Sequence, residues 1–222
     1  MNTLLSPPLA PLLTRLFAEA EAADAPLRQR LSQSSAEERA ALMLRAQTDY
    51  RGFYELAKEM YLPVSAETGK LLYLLVRATR AQAIVEFGTS FGLSTLHLAA
   101  GLKDNGGGGR VIGSEFELGK VIRAKHNLMA AGLAEFAEIR EGDALESLAR
   151  DLPPVVDLLL LDGAKVLYPQ VLALIEPKLR SGALVLADNA DHNPEFLAYV
   201  RAPEHGYLSV PFAEDVELFM RL

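Results

Sequence analysis

The stretch from Ala83 to Ala99 constrains the fold of this 222-residue chain more than any other segment. It opens with a short apolar run rich in β-branched residues, which predicts a buried strand. Gly88 and Gly92 then bracket a polar turn, and helical character follows. Because a strand, a glycine turn and a helix place backbone N–H groups beside a ligand, we expect a ligand-binding turn rather than an ordinary βα corner. Glu86 lies inside the apolar run, where a buried carboxylate needs hydrogen-bond donors.

Two nucleotide-binding motifs are absent from this turn. It has neither the Gly-x-Gly-x-x-Gly spacing of a dinucleotide site nor the Gly-Lys-Ser/Thr ending of a P-loop. The second absence argues against nucleoside triphosphates as ligands.

Composition excludes several classes of function. Half of the residues are hydrophobic, and the net charge of −7 leaves no basic footprint for nucleic acid. The absence of cysteine excludes disulfides, cysteine nucleophiles and thiolate metal sites. No apolar run approaches the ~18 residues that span a bilayer, and prolines interrupt the first residues, so we expect no membrane partner, no signal peptide and a cytoplasmic location.

The first 60 residues are predicted to form a helical extension (1–60) before a larger domain (61–222). Ser35 and Glu38 have capping-box spacing at one helix start, and Pro63 ends the helical pattern. Such helices could form a dimer arm, a lid over the site or plain packing, and the sequence does not choose among them.

From residue 67 onward a helix is followed by alternating strands and helices. This alternation predicts an α/β fold: a doubly wound, mostly parallel sheet with helices on both faces and an antiparallel C-terminal strand. The predicted strands are 83–87, 110–114, 136–140, 155–161 and 183–187, with a weaker pair at 207–211 and 216–221. The predicted intervening helices are 92–103, 118–131, 143–150 and 168–179.

Acids and amides follow the strands whose carboxyl ends should meet at the ligand site. Glu115 is placed to accept the ribose hydroxyls of an adenosine-containing ligand, although it could be a helix cap or a solvated turn acid. Asp143 could present its carboxylate, with the Ala144 N–H, to an adenine edge, or cap the helix that follows.

A second group of side chains points to cation and proton chemistry. Asp162, Asp188 and Asn189 form an all-oxygen set of the kind that a hard divalent ion such as Mg²⁺ prefers, although Asp188-Asn189 could be an ordinary polar turn. Lys165 follows Asp162 by three residues and could accept a proton near a cation, or could be an ordinary surface lysine. His192 could line a substrate pocket.

These segments together resemble a known family. The chain is similar to class I S-adenosylmethionine-dependent, cation-dependent O-methyltransferases of the catechol and caffeoyl-CoA type. The matching motifs stand in the expected order and spacing between residues 60 and 190. They are Val64–Gly69, Val85–Ser94, Gly142–Ala144, Leu161–Tyr168 and Ala187–Asn189. The family often carries a second acid inside its Asp-x-x-Lys motif, where this chain has Gly163-Ala164.

The resemblance implies a Rossmann-like fold, a homodimer and methyl transfer from S-adenosylmethionine to a hydroxyl of a small, catechol-like or phenolic acceptor. Lys165 and Asp162 would be catalytic, and Asp162, Asp188 and Asn189 would ligate the divalent cation, expected to be Mg²⁺. The implied cofactor contacts are Val64, Glu86, Gly88, Thr89, Ser90, Gly92, Ser94, Glu115, Phe116, Asp143, Ala144 and Asp162.

Two other functions stay open at this point. A nicotinamide-dependent oxidoreductase shares the sheet, the glycine turn and the acid after the second strand, but its glycine spacing differs. A non-catalytic S-adenosylmethionine-binding protein would keep Glu86, Glu115 and Asp143 but would not need Lys165 or the metal set.

Overall fold

The alternating segments form one seven-stranded sheet. A computed structural model describes residues 2–212 and 215–222, without the side chains of residues 43, 47 and 54. The strands are β1 (Ala83–Phe87), β2 (Arg110–Glu115), β3 (Ala137–Glu141), β4 (Val156–Leu161), β5 (Leu179–Ala187), β6 (Tyr207–Phe212) and β7 (Val216–Arg221).

The strand order is β3-β2-β1-β4-β5-β7-β6. Strands β1 to β5 pair in parallel, whereas β7 runs antiparallel to β5, and β6 runs antiparallel to β7. The predicted doubly wound sheet with an antiparallel C-terminal end is therefore confirmed. The order reverses between β1 and β4, and a crevice opens at such a switch point beyond the carboxyl ends of the strands.

Nine α-helices lie in the described part of the chain. They are α1 (Leu9–Gln33), α2 (Ala36–Thr48), α3 (Tyr50–Leu56), α4 (Ala66–Thr79), α5 (Leu93–Asp104), α6 (Leu118–Ala130), α7 (Ala144–Ser147), α8 (Tyr168–Ile175) and α9 (Pro194–Arg201). Helix α7 ends at Ser147 and is therefore shorter than the predicted helix 143–150. Strand β5 begins four residues early, at Leu179, next to an irregularity in its pairing with β4.

The core lies on both faces of the parallel strands. Residues 158–161 of β4 are fully buried, as expected of a central strand covered by helices on either side. Along β1, Ile84 packs into one apolar cluster, whereas Val85 and Phe87 pack into the other. This alternation assigns each β1 side chain to one face of the sheet.

The N-terminal helices divide into a buried part and a covering part. Leu9 and Leu16 of α1 are fully buried in the same cluster as Leu72 and Leu96 of the main domain. The described side chains of α2 and α3 are half-buried or exposed. The predicted capping box is confirmed at α2, where Ser35 Oγ accepts from the Glu38 N–H at 3.1 Å and Glu38 returns the bond at 2.7 Å. The division at residues 60 and 61 stays a prediction.

None of the helices in the described ranges is both long enough and apolar enough to cross a membrane.

Candidate active site

One cavity lies beyond the carboxyl ends of the parallel strands. Many of the predicted site residues line it, so the sheet brings together side chains that are up to about 100 positions apart in sequence. The predicted residues on its wall are Gly88, Ser90, Glu115, Phe116, Asp143, Ala144, Asp162, Lys165 and Asn189, together with His192.

The glycine turn forms the floor of this cavity. Gly88 has φ +94°, and a Cβ at this position would lie 2.5 Å from the backbone oxygen of Asp162. The N–H groups of Gly88 and Thr89 both donate to the Ser114 carbonyl at the end of β2, at 3.1 and 3.0 Å. Only glycine tolerates this backbone conformation and this close approach together.

Glu115 is held by two backbone donors. Its Oε2 accepts from the Ser90 N–H at 2.7 Å, and its Oε1 accepts from the Glu117 N–H at 2.9 Å. These two bonds orient the carboxylate at the cavity wall, next to the turn.

Ser90 also stands at the centre of a Gly-x-Ser-x-Gly sequence, the spacing of a hydrolase nucleophile. Its hydroxyl donates to the Tyr61 carbonyl at 2.8 Å. That bond commits the hydroxyl hydrogen to the backbone rather than to a general base, so the geometry does not favour a serine nucleophile.

Glu86 does not line the cavity, and its role as a cofactor contact stays a prediction. It is fully buried, and its carboxylate accepts from the hydroxyls of Thr89, Ser94 and Thr95 at 2.6–2.8 Å. Burial raises the pKa of Glu86, and the three hydroxyl donors oppose that rise. Glu86 lies on the α5 side of β1, whereas the neighbouring Phe87 faces the cavity.

Five predicted cofactor contacts therefore do not lie on the cavity wall as the structure describes it. The network around Glu86 instead joins β1, the turn and the first residues of α5. These five residues are Val64, Glu86, Thr89, Gly92 and Ser94.

Asp143 fulfils one of its two predicted roles directly. Its Oδ1 accepts from the Leu145 N–H at 2.9 Å and caps α7. Its Oδ2 accepts from Arg51 of α3 at 2.6 Å, and the Arg51 guanidinium lies 5.9 Å from the Phe116 ring centroid. The cap holds the carboxylate at the cavity while Arg51 reaches it from the opposite wall.

Asp162, Lys165 and Asp188 form a largely buried charged cluster. Lys165 Nζ lies 3.1 Å from Asp162 Oδ1, and the Tyr168 hydroxyl donates to the carbonyls of Leu161 and Asp188 at 2.8 and 2.7 Å. Burial raises the pKa of Asp162, whereas Lys165 lowers it. Burial and the neighbouring Asp162 carboxylate raise the pKa of Asp188 to about 8. Two carboxylates this close favour a shared proton or a bound cation.

Asn189 completes the predicted oxygen set from a left-handed backbone position with φ +46°. Its Nδ2 donates to Asp215 Oδ2 at 3.0 Å. Within residues 2–212 and 215–222, no group of three or more His, Cys, Asp or Glu side chains is arranged to hold a metal ion. The predicted set contains two carboxylates and one amide, and its donor chemistry fits a hard divalent cation. The cation stays a prediction.

The N-terminal helices supply one whole wall of the cavity, so of the three roles left open for them the structure favours that of a lid over the site. Apolar and aromatic side chains from this segment face the strand ends, so α2 and α3 cover the site. These side chains are Leu27, Leu31, Leu42, Ala46, Tyr50, Phe53 and Leu62.

Sequence analysis missed Lys120. It lies on the buried stripe of α6 with Val121, Ala124 and Leu128, and it is 5% exposed. A lysine on an apolar helical stripe was the signal that could have identified it.

The chain is similar in sequence to known methyltransferases. Residues 85–190 match a family described as "Methyltransferase domain". The chain is 34% identical over 137 residues to a catechol O-methyltransferase of Mycobacterium tuberculosis, covering 62% of this chain and 61% of that protein. It is 33% identical over 131 residues to a catechol O-methyltransferase of Niastella koreensis, covering 58% of each chain. The chain thus spans about three fifths of the length of these curated relatives.

The fold has counterparts among solved structures. An O-methyltransferase from Bacillus cereus in complex with SAH superimposes with a TM-score of 0.62 at 22% identity, over 90% of this chain and 97% of that one. At this identity the likeness concerns the fold alone.

Proposed function

We propose that this chain is a class I S-adenosylmethionine-dependent methyltransferase and transfers a methyl group from S-adenosylmethionine to a hydroxyl oxygen of a small acceptor. The observation that carries the proposal is the single cavity in which Glu115 and Asp143 lie on one side of the glycine turn, and Asp162 and Lys165 on the other. The first pair suits an adenosine, and the second suits proton transfer at an acceptor.

The donor would lie along the ends of β3, β2 and β1. Glu115, already oriented by two N–H donors, would accept both ribose hydroxyls. The Asp143 carboxylate and the Ala144 N–H would meet the adenine edge, with the half-exposed Phe116 ring beside it. This orientation directs the sulfonium towards β4, where Asp162 and Lys165 lie.

The acceptor would occupy the space between the charged cluster and the N-terminal helices. Its hydroxyl would face Lys165, whose neutral amine would take the hydroxyl proton and become an ammonium that Asp162, at 3.1 Å, keeps in position. The apolar wall from α1, α2 and α3 suits an aromatic ring. A catechol-like or phenolic acceptor is therefore proposed, in agreement with the names of the relatives.

Asp162, Asp188 and Asn189 would hold a divalent cation, expected to be Mg²⁺. When bound, such an ion would lower the proton affinity of an acceptor hydroxyl and fix its orientation. The raised pKa of Asp188, about 8, supports this assignment, because a cation would relieve the repulsion between the two buried carboxylates.

Isothermal titrations with three ligands, together with one assay, test the proposal. S-adenosylmethionine and its demethylated product are titrated against the purified protein with and without Mg²⁺, and NADH is titrated as the competing ligand. Methyl transfer to catechol is then measured by mass spectrometry, with and without a chelator. Binding of both sulfur compounds with a methylated product supports the proposal, whereas binding of NADH alone would replace it with an oxidoreductase.

The cation assignment has its own variant. Asp162→Ala should remove both Mg²⁺ dependence and turnover while the circular dichroism spectrum stays that of a folded protein. Asp191→Ala, at an exposed position near the same strand ends, is the matched control. Full activity of Asp162→Ala would contradict the assignment of this cation site.

The proposed homodimer is tested separately by light scattering coupled to size exclusion. A molecular mass of about twice the 24.1 kDa of the chain would support it, and a mass equal to that of the chain would contradict it.

A further inference from the structure

Lys120 is a buried cation that the mechanism above does not use. It is 5% exposed, lines the cavity, and lies with its Nζ 5.4 Å from the centroid of the Phe91 ring. Phe91 belongs to the glycine turn, so the Lys120 ammonium lies beside the turn rather than beside the acceptor cluster.

Two ion pairs account for most of the charged side chains that face the cavity, but not for Lys120. Asp143 pairs with Arg51, and Asp162 pairs with Lys165. Among the described residues, no carboxylate oxygen lies within the 4.0 Å ion-pair distance of the Lys120 ammonium. Lys120 is therefore a nearly buried charge without an ion-pair partner.

The surrounding carboxylates explain why the charge is tolerated. Burial lowers the pKa of Lys120, and the negative charges of Glu115 and Asp24 oppose that shift. Asp24 accepts from the N–H groups of Tyr61 and Leu62 at 2.8 and 2.9 Å, and Glu115 accepts from two others. Backbone donors thus hold both acids, and an anionic ligand group would give Lys120 a direct partner.

The strand order indicates which part of the donor would lie there. If the adenosine of S-adenosylmethionine binds to Asp143 and Glu115, its sulfur lies beyond the end of β1. The methionine part of the molecule, which is bonded to that sulfur, then lies at the glycine turn. S-adenosylmethionine carries a single anionic group, the α-carboxylate of its methionine part. We propose that Lys120 binds this α-carboxylate, an inference that rests on the proposed function and adds to it the residue that recognises the methionine part.

The experiment compares two ligands that differ in that carboxylate. S-adenosylhomocysteine and its decarboxylated analogue, which keeps the ammonium, are titrated against wild type and Lys120→Met. We expect the variant to bind S-adenosylhomocysteine about 10- to 100-fold more weakly, as expected for the loss of a charge-assisted bond, and to bind the decarboxylated analogue as wild type does. Lys120→Arg should retain most of the affinity for S-adenosylhomocysteine.

Lys125→Met, at an exposed position on the same helix, is the matched control and should bind both compounds normally. If Lys120→Met does not fold, Lys120→Gln replaces it in the same comparison. Equal losses for the two ligands would overturn the inference, because they would mean that Lys120 supports Glu115 or the fold. Unchanged binding of both would overturn it too. A wild-type protein that binds neither compound would instead contradict the proposed function.

Discussion

Arg51 on α3 donates to Asp143 Oδ2 at 2.6 Å, although the two residues are 92 positions apart in sequence. This ion pair joins the covering helices to the strand end at which adenine is expected. If the adenine of S-adenosylmethionine binds to the Asp143 carboxylate, it must share that carboxylate with Arg51 or displace the Arg51 side chain. If S-adenosylmethionine binds there as proposed, the pair links the position of the N-terminal helices to its binding.

Replacing Arg51 by alanine should loosen those helices in the ligand-free protein. Hydrogen exchange measured by mass spectrometry should become faster in peptides covering residues 36–56, because the side chain attaches α3 to the main domain. Peptides from β1 and β4 should exchange as in wild type. Arg45→Ala, at an exposed position on α2, is the control, and equal protection of residues 36–56 in both variants would contradict the attachment.

Gly88→Ala should lower the stability of the protein and abolish binding of S-adenosylmethionine. The methyl group would meet the Asp162 backbone at 2.5 Å and would also have to tolerate φ +94°, so we expect a loss of at least about 2 kcal/mol in the free energy of unfolding. Gly119→Ala is the matched variant, since a Cβ there would meet nothing within 4 Å. That substitution should leave stability unchanged or raise it by up to about 1 kcal/mol. Urea unfolding measures the free energy of unfolding of both variants. Equal values would contradict the predicted clash between a side chain at position 88 and the Asp162 backbone.

Asp157 should stabilise the protein near neutral pH and lose that effect in acid. Its carboxylate accepts from the N–H groups of Gln82 and Ala83 and from Arg180 at 2.6–3.0 Å. Burial alone would raise the pKa of Asp157, but these donors outweigh burial and lower it below 3.8. Because the pKa of Asp157 is lower in the folded protein than in the unfolded chain, its carboxylate stabilises the fold at a pH above the unfolded-state pKa. This contribution is lost as the pH falls through the folded-state pKa.

Asp157→Asn should therefore lower the free energy of unfolding by about 1–3 kcal/mol at pH 7. The difference from wild type should shrink as pH falls below about 3.8, the ordinary value for aspartate. Urea titrations across this range measure both effects. Asp151→Asn keeps an exposed left-handed position and serves as control. A difference that did not change with pH would contradict the role of the charge.

Lys165→Met should lower kcat by about 100-fold or more while leaving the affinity for S-adenosylhomocysteine unchanged, since general-base contributions are of that size. Single-turnover kinetics and titration measure the two quantities separately. Lys178→Met is the control. Lys178 directly precedes β5, at the end of that strand farther from the cavity, so this variant should retain wild-type kcat. A Lys165 variant with wild-type turnover would show that another group handles the acceptor proton.

Most of the fold could be predicted because its signals are local. Alternating apolar runs and turn residues located all seven strands to within a few positions. Since parallel strands end at one edge, the sequence alone predicts that Glu115, Asp143 and Asp162 lie around one cavity. Their roles towards a ligand remain predictions.

The face of the sheet on which Glu86 lies could not be predicted from the same pattern. Both faces of β1 are buried, so apolar alternation does not say whether Glu86 or Phe87 faces the cavity. The hydroxyls of Thr89, Ser94 and Thr95 supply the donors that the buried carboxylate requires, and that arrangement appears only when α5 is packed on β1.

By itself, the sequence determined the succession of strands and helices along the chain, the glycine turn and the acids at the strand ends. Each of these features depends on residues that are close together in the chain. The tertiary structure alone decided that α2 and α3 cover the cavity, that Arg51 meets Asp143, and that Lys120 lies buried beside the turn. Those relationships depend on long-range packing, and periodicity and spacing carry no information about which distant surfaces meet.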